Sequence, residues 1–293
     1  MDSSSAIDKC AACGKEGDGL KFCNGCKLVK YCSRDCQATH RPLHKKACKK
    51  RAAEIYDENL FTEVEPDECP ICMLPQPLDT GESIFHSCCG KFICGGCDHA
   101  MKMSEGTDLC AFCRTPYATS NEEEFKRMNK LMEKGNGDAY HILAGYYATG
   151  NNGVPLDHQK AHELWLKGGE LGCAQAYCNL AIMYIHGNGV EVNMKKAKHY
   201  LELAAMNGSI QARHDLCGVE GTFGNQHRAI KHLLIAARAG YTDTLGLVKD
   251  VFMKGIITKE KYEDTLRAYQ KRNDEMKSKA RDEAVAFYGE TNG

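Results

Sequence analysis

Two small cysteine-rich modules followed by an all-α solenoid of helix-turn-helix repeats form the fold class that this 293-residue sequence predicts. Three observations carry that expectation. Fifteen of the 18 cysteines precede Arg114. With one histidine, those fifteen fall into two sets of eight at metal-ligand spacing. Beyond Gly135 the chain repeats itself, first after 36 residues and then after 32. The formal net charge of −1 gives no general push toward nucleic acid or an anionic membrane. No apolar run approaches the roughly 20 residues a membrane helix needs. The polar start MDSSSAIDKC lacks the apolar core of a signal peptide. A cytoplasmic or nuclear, reducing setting is therefore expected, where cysteines serve metal binding or catalysis rather than disulfides.

The first set runs Cys10, Cys13, Cys23, Cys26, Cys32, Cys36, His44 and Cys48, in CAAC, CNGC, CSRDC and HKKAC. A structural zinc site is tetrahedral and closed, with four thiolate or imidazole ligands. Short pairs suit it because one tight turn aims both side chains at one ion. Residues four apart on a helix share a face, which suits Cys32 with Cys36 and His44 with Cys48. His40 competes with His44 for the imidazole position. Pro42 fits best as the first residue of a new helix, leaving His40 outside it, so His44 is favoured.

Residues 10–48, with YC at 31–32 and CQ at 36–37, resemble a MYND zinc finger, and the module is expected to span 1–50. The resemblance implies a two-zinc cross-brace. One ion would take Cys10, Cys13, Cys32 and Cys36, and the other Cys23, Cys26, His44 and Cys48. It also implies proline-containing peptides as partners, although Arg41-Pro42 stands where the family often carries an aromatic residue. The basic run Lys45, Lys46, Lys49, Lys50 and Arg51 is read as the solvated face of a helix leading into a linker over 51–66.

The second set contains Cys69, Cys72, Cys88, Cys89, Cys94, Cys97, Cys110 and Cys113 within a module over 67–118. Metal must supply much of the folding energy of so small a segment, since structural zinc contributes on the order of 10–16 kcal/mol. The set resembles an all-cysteine RING domain. That family interleaves its sites, which implies Cys69, Cys72, Cys94 and Cys97 around one zinc. The other zinc would take Cys88, Cys89, Cys110 and Cys113. His86 is the alternative donor for one place of the adjacent pair; both cysteines are preferred because thiolate binds zinc more strongly here. Across both modules four zinc ions are expected. RING domains hold a charged ubiquitin-conjugating enzyme and contribute no nucleophile. The family's docking contact falls on Ile71, and the cation that clamps the transferring ubiquitin falls on Arg114. Ala111 stands where active members commonly carry proline. The segment LPQPL at 74–78 is read as a plain loop of the module.

Thr119-Ser120 followed by Glu122, Glu123 and Glu124 predicts a capped helix within a linking segment over 119–134. The repeats then occupy 135–275. LAGYYATG at 143–150 matches LAIMYIHG at 180–187. Ala161, Ala197 and Ala229 each stand eleven residues before Gly172, Gly208 and Gly240. Small residues where helices touch, with a glycine closing each second helix, indicate an α-solenoid. The GNGV loop at 187–190 makes the segment similar to Sel-one-like repeats, relatives of the tetratricopeptide repeat. The third copy lacks four loop residues. A degenerate fourth copy keeps VFMKG, a charged helix over 259–281 caps the stack, and 276–293 is a tail. Trp165, Tyr184 and Tyr200 are expected in the core, and His141, His162, His199 and His232 show no ligand spacing.

The predicted architecture is thus a pair of zinc-stabilised cross-braces, MYND and RING, ahead of the solenoid. Neither a phosphate-binding glycine loop nor a catalytic triad pattern appears, and the chain has no methyltransferase cofactor loop. The first functional expectation is a RING-type ubiquitin ligase whose MYND and repeat surfaces recruit substrates. The second is a non-catalytic, zinc-dependent adaptor. The expected partners are proteins; nucleic acid and membrane are not expected.

Overall fold

The structure is a computed structural model and describes residues 8–78, 82–105 and 108–291. The polar start at 1–7, residues 79–81 and 106–107 of two inter-cysteine loops, and the last two residues of the chain lie outside them. The chain divides into two compact units, one ending at Thr62 and one beginning at Glu63.

The first unit is a two-strand hairpin and one helix. Strand β1 (Lys21–Phe22) pairs antiparallel with β2 (Lys30–Tyr31). Helix α1 (Arg34–Leu60) begins at Ser33, whose hydroxyl accepts the Cys36 N–H at 3.1 Å. The expected helix start at Pro42 is corrected here: α1 runs unbroken through it and contains His40. An interior proline costs about 3 kcal/mol. The cysteine clusters described below grip α1 at Cys36 before Pro42 and at His44 and Cys48 after it, so one continuous helix is held despite that cost. The buried centre of the unit is Cys10, Cys23, Cys26 and Tyr31.

The second unit opens with β3 (Ser83–His86) and β4 (Lys91–Cys94), antiparallel with Ser83 opposite Cys94. Phe85 and Phe92 face each other across the pair at 5.2 Å between ring centroids. Helix α2 (Gly95–Glu105) follows directly, and the buried cluster beneath it is Cys69, Ile93, Cys94, Cys110 and Ala111. Helix α3 (Asn121–Glu133) is capped by Ser120, whose hydroxyl accepts the Glu123 N–H, while the Glu123 carboxylate accepts the N–H of Thr119, one residue before the cap.

Six helices of 13 residues each then form three antiparallel pairs. They are α4 (Gly137–Thr149) with α5 (His158–Glu170), α6 (Ala174–His186) with α7 (Met194–Met206), and α8 (Ile210–Thr222) with α9 (Gln226–Arg238). Asn136, Asp157, Asn193 and Ser209 cap four of them through side-chain oxygens. Fully buried Ala139, Ala144, Ala161, Ala176, Ala181, Ala197 and Ala212 bring the helices together. Gly172, Gly208 and Gly240 take φ values of 95–99° and end the second helices, as the sequence predicts. The shortened third copy is absorbed by a loop of only 223–225 between α8 and α9.

Helix α10 (Thr244–Met253) and α11 (Lys259–Met276) pack on α9 and extend the stack. The charged helix expected over 259–281 stops at Met276, because Lys277 is extended and Ser278 starts a new helix by accepting the Arg281 N–H. The segment read as a tail forms that helix, α12 (Lys279–Thr291), which packs against α2. Trp165 and Tyr184 are buried, and Tyr184 stacks on Tyr200 at 5.6 Å.

Candidate metal centres

Four of the C-x-x-C pairs fold into one repeated device. In each, the residue after the second cysteine turns left-handed, and its N–H donates to the carbonyl of the first cysteine at 2.9 Å. Those residues are Gly14, Lys27, Met73 and Arg114, with φ between 56° and 73°. The turn points both thiols to the same side. Only glycine adopts it without strain, so three of the four positions hold a side chain in an uncommon conformation. Cys94 closes β4 and Cys97 lies in the first turn of α2, while Cys36, His44 and Cys48 all project from α1.

These elements assemble four clusters, and within each every donor atom lies within 4.8 Å of every other. They are Cys10, Cys13, Cys32 and Cys36; Cys23, Cys26, His44 and Cys48; Cys69, Cys72, Cys94 and Cys97; and Cys88, Cys89, Cys110 and Cys113. Each module thus interleaves its pairs, first with third and second with fourth. A tetrahedral zinc with sulfur at about 2.3 Å puts neighbouring sulfurs about 3.8 Å apart. The S···S distances are 3.5 Å for Cys32–Cys36, 3.6 Å for Cys13–Cys32 and 3.7 Å for Cys23–Cys48. They are 3.8 Å for Cys72–Cys94, 3.3 Å for Cys88–Cys113 and 3.9 Å for Cys89–Cys110. The donor sets therefore fit zinc, and separations near 3.7 Å exclude disulfides, whose sulfurs are about 2.05 Å apart.

Fixed dipoles prepare some thiols for metal. Backbone N–H groups around Cys10 pull its pKa down to about 6. Burial would raise that of Cys23, but hydrogen bonds from His44 and the backbone N–H groups of Gly25 and Cys26 outweigh it and hold it at about 6. Burial of Cys69 is likewise overcome by the N–H groups of Cys72, Cys94 and Ile71, which bring it to about 7. Thiolate is the ligating form, so these positions need little deprotonation on metal entry.

The two histidine alternatives part here. His44 Nε2 lies 3.1 Å from Cys26 Sγ, inside a cluster, whereas His40 Nδ1 pairs with the Tyr31 hydroxyl at 3.0 Å. His86 is buried outside the thiols, 3.5 Å from the Asp98 carboxylate, and burial lowers its pKa. Asp98 in turn accepts the Tyr117 hydroxyl at 2.7 Å and meets Lys102 at 2.8 Å. Cys88 and Cys89 both face Cys110 and Cys113.

Ile71 is 40% exposed, and so is its counterpart Phe112 in the other turn of the module at 45%. Phe112 escaped the sequence reading, because a half-exposed aromatic carries no spacing signal. Arg114 reaches over α2 to Met101 Sδ. Leu74 and Pro75 of LPQPL close the Cys69 turn, through the Cys69 N–H to the Leu74 carbonyl and a Glu68–Pro75 bridge. Arg51 binds Glu54 and Glu58 on its own helix, as expected of a solvated face. Arg281, 209 residues from Cys72, donates to that sulfur at 3.7 Å, a contact no local pattern announces. In the solenoid, His141 pairs with Asn179 and His162 with Tyr184, and burial lowers the pKa of both, that of His141 to about 4.

Comparison with known proteins assigns two of the segments. Residues 10–48 match the MYND finger family, and residues 137–173, 174–209 and 215–241 match the Sel1 repeat. The chain is similar to the "ERAD-associated E3 ubiquitin-protein ligase component HRD3B" of Arabidopsis thaliana, with 32% identity over 96 residues, 32% of this chain and 15% of that protein. It is also similar to the "SET domain and MYND-type zinc finger protein 6" of Schizosaccharomyces pombe, with 37% identity over 49 residues, 17% of this chain and 10% of that protein. The chain thus spans a small fraction of these relatives. Among solved structures, a Sel1 repeat protein from Oxalobacter formigenes matches at 23% identity with a TM-score of 0.45, over 61% of this chain and 70% of that one. The chain consists of N-terminal cysteine-rich zinc modules followed by a helical Sel1-repeat solenoid, and both the MYND finger and the repeats are protein-interaction modules.

Proposed function

We propose that residues 67–118 are a RING-type zinc module and that the chain is a ubiquitin ligase, with the MYND finger and repeats recruiting substrates. In this reading each cysteine-rich module holds two zinc ions, four in all, on the sixteen donors of the four clusters. The observation that carries it is the interleaving of Cys69, Cys72, Cys94 and Cys97 with Cys88, Cys89, Cys110 and Cys113 within one small module. That arrangement sets its two C-x-x-C turns as rigid knobs, and each presents one exposed apolar side chain, Ile71 and Phe112. Exposed apolar residues on a rigid frame suit docking of a conjugating enzyme. Arg114 supplies the cation beside that surface. The module needs no nucleophile of its own, because the thioester and the acceptor lysine supply the chemistry and the module supplies orientation.

The test is ubiquitination in vitro with activating enzyme, ATP, ubiquitin and a panel of conjugating enzymes. Ubiquitin chains are expected with the wild-type protein, with Ile71→Ala abolishing them and Arg114→Ala reducing their rate at least about tenfold, a loss of roughly 1.4 kcal/mol in transition-state stabilisation. Metal analysis is expected to give four zinc ions per chain; two or fewer would overturn the double cross-brace.

A second reading, a non-catalytic adaptor, is favoured by Ala111, which is buried and leaves the second turn without the proline common in active members. The similarity to a ligase component agrees with it equally well. Absence of ubiquitin transfer with every conjugating enzyme would establish the adaptor. The proteins bound by the MYND finger are proposed to present proline-containing peptides, and the site of action to be the cytoplasm or nucleus.

A further inference from the structure

The last helix carries a cation into a metal centre far from it in sequence. Arg281 is 7% exposed, and no carboxylate among the described residues pairs with it. Its Nη2 donates to Cys72 Sγ at 3.7 Å, its Nη1 donates to the Met276 carbonyl at 2.7 Å, and its Nε is buried with no acceptor. A buried guanidinium without an anion is strongly disfavoured. With zinc bound, the anions at hand would be the thiolates of Cys69, Cys72, Cys94 and Cys97. Four thiolates around a divalent ion leave two net negative charges, which a buried cation offsets.

The backbone confirms that the approach is built in. Gly96 lies between the ligand candidates Cys94 and Cys97, and a Cβ there would come within 2.7 Å of Arg281 N and 2.9 Å of the Ala280 carbonyl carbon. Those are main-chain atoms that cannot swing aside. Further along α12, Ala284 is buried and Phe287 lies 4.8 Å from the His99 ring of α2.

We propose that Arg281 is a positioning residue of the metal centre formed by Cys69, Cys72, Cys94 and Cys97, holding the Cys72 thiolate and offsetting the charge of the zinc tetrathiolate. Helix α12 is thereby an integral part of that centre, so the module is completed by the opposite end of the chain. The inference rests on the zinc reading of this cluster.

The experiment follows zinc release from the full-length protein to a chromogenic chelator, with alkylation of freed cysteines mapped by mass spectrometry. Arg281→Met keeps the aliphatic stem and helix propensity but removes the cation. It is expected to speed release of one zinc in four about tenfold, the lower end of what loss of an outer-shell partner does. Alkylation should rise at Cys69, Cys72, Cys94 and Cys97 alone, and Arg281→Lys should restore part of the retention. Wild-type release kinetics in Arg281→Met, or alkylation rising evenly over all fifteen donor cysteines, would overturn the positioning role. A wild-type chain that carries zinc only on residues 10–48 would overturn the cluster reading and this inference with it.

Discussion

Cys88 and Cys89 show how much a single turn decides. The N–H groups of Cys89 and Gly90 both donate to the His86 carbonyl, at 3.2 and 2.8 Å, and Gly90 sits at φ 69°. That turn sends adjacent thiols to one cluster and returns His86 to the interior beside Asp98. Cys88→Ser and Cys89→Ser are each expected to cost one zinc per chain by metal analysis, while His86→Ala leaves the count unchanged. The reverse result would make His86 the ligand. Glu220 is a second residue whose surroundings decide its state. Burial would raise its pKa, but Arg228 at 2.6 Å, Lys198 at 2.7 Å and Asn225 at 2.7 Å hold it below the ordinary 4.5. A depressed folded pKa contributes stability above pH 4.5 that is lost as pH falls through the lower folded value. Glu220→Gln is expected to cost about 2–3 kcal/mol at pH 7 and to flatten the stability profile below that range, read by urea unfolding of the helical signal.

At the scale of elements, close helix contacts fix which glycines tolerate a side chain. A Cβ on Gly168 in α5 would meet the Gly137 carbonyl at 2.9 Å, at the start of α4. One on Gly145 would meet nothing within 4 Å. Gly168→Ala is therefore expected to destabilise the repeats by about 1–3 kcal/mol, and Gly145→Ala to stabilise them by up to about 1 kcal/mol through helix propensity. Equal shifts in the urea midpoint for both would show that the α4–α5 contact is looser than the structure has it. The helices themselves were legible, because Ala161, Ala197 and Ala229 each precede a glycine by eleven residues in copies spaced 36 and then 32 residues apart. The continuous α1 was not, since local propensity at Pro42 argues for a break and tertiary tethers override it.

At the scale of the whole molecule, the units differ in what holds them together. The buried apolar residues of the first unit include Cys10, Cys23 and Cys26, and those of the second module include Cys69, Cys94 and Cys110. Cores made of metal donors have little to bury once the ion is gone. The repeats bury Leu201, Leu216, Leu233, Val248 and a row of alanines instead. Chelation is therefore expected to abolish ordered amide signals from residues 8–60 and 67–118 while leaving most of the helical dichroism of 137–276 in place. Loss of helicity throughout the repeats on chelation would contradict independent cores. No described helix is long and apolar enough to cross a membrane.

The sequence by itself determined the donor pairs, the repeats and the order of the modules, because each is a short-range spacing that survives as a pattern along the chain. Only the tertiary structure decided where His86 goes, how Pro42 is carried within α1 and which distant cation meets Cys72. Those outcomes depend on contacts between residues far apart in the chain, such as Arg281 and Cys72, 209 positions distant. Such contacts arise from packing and burial, and leave no periodic trace in the residues that make them.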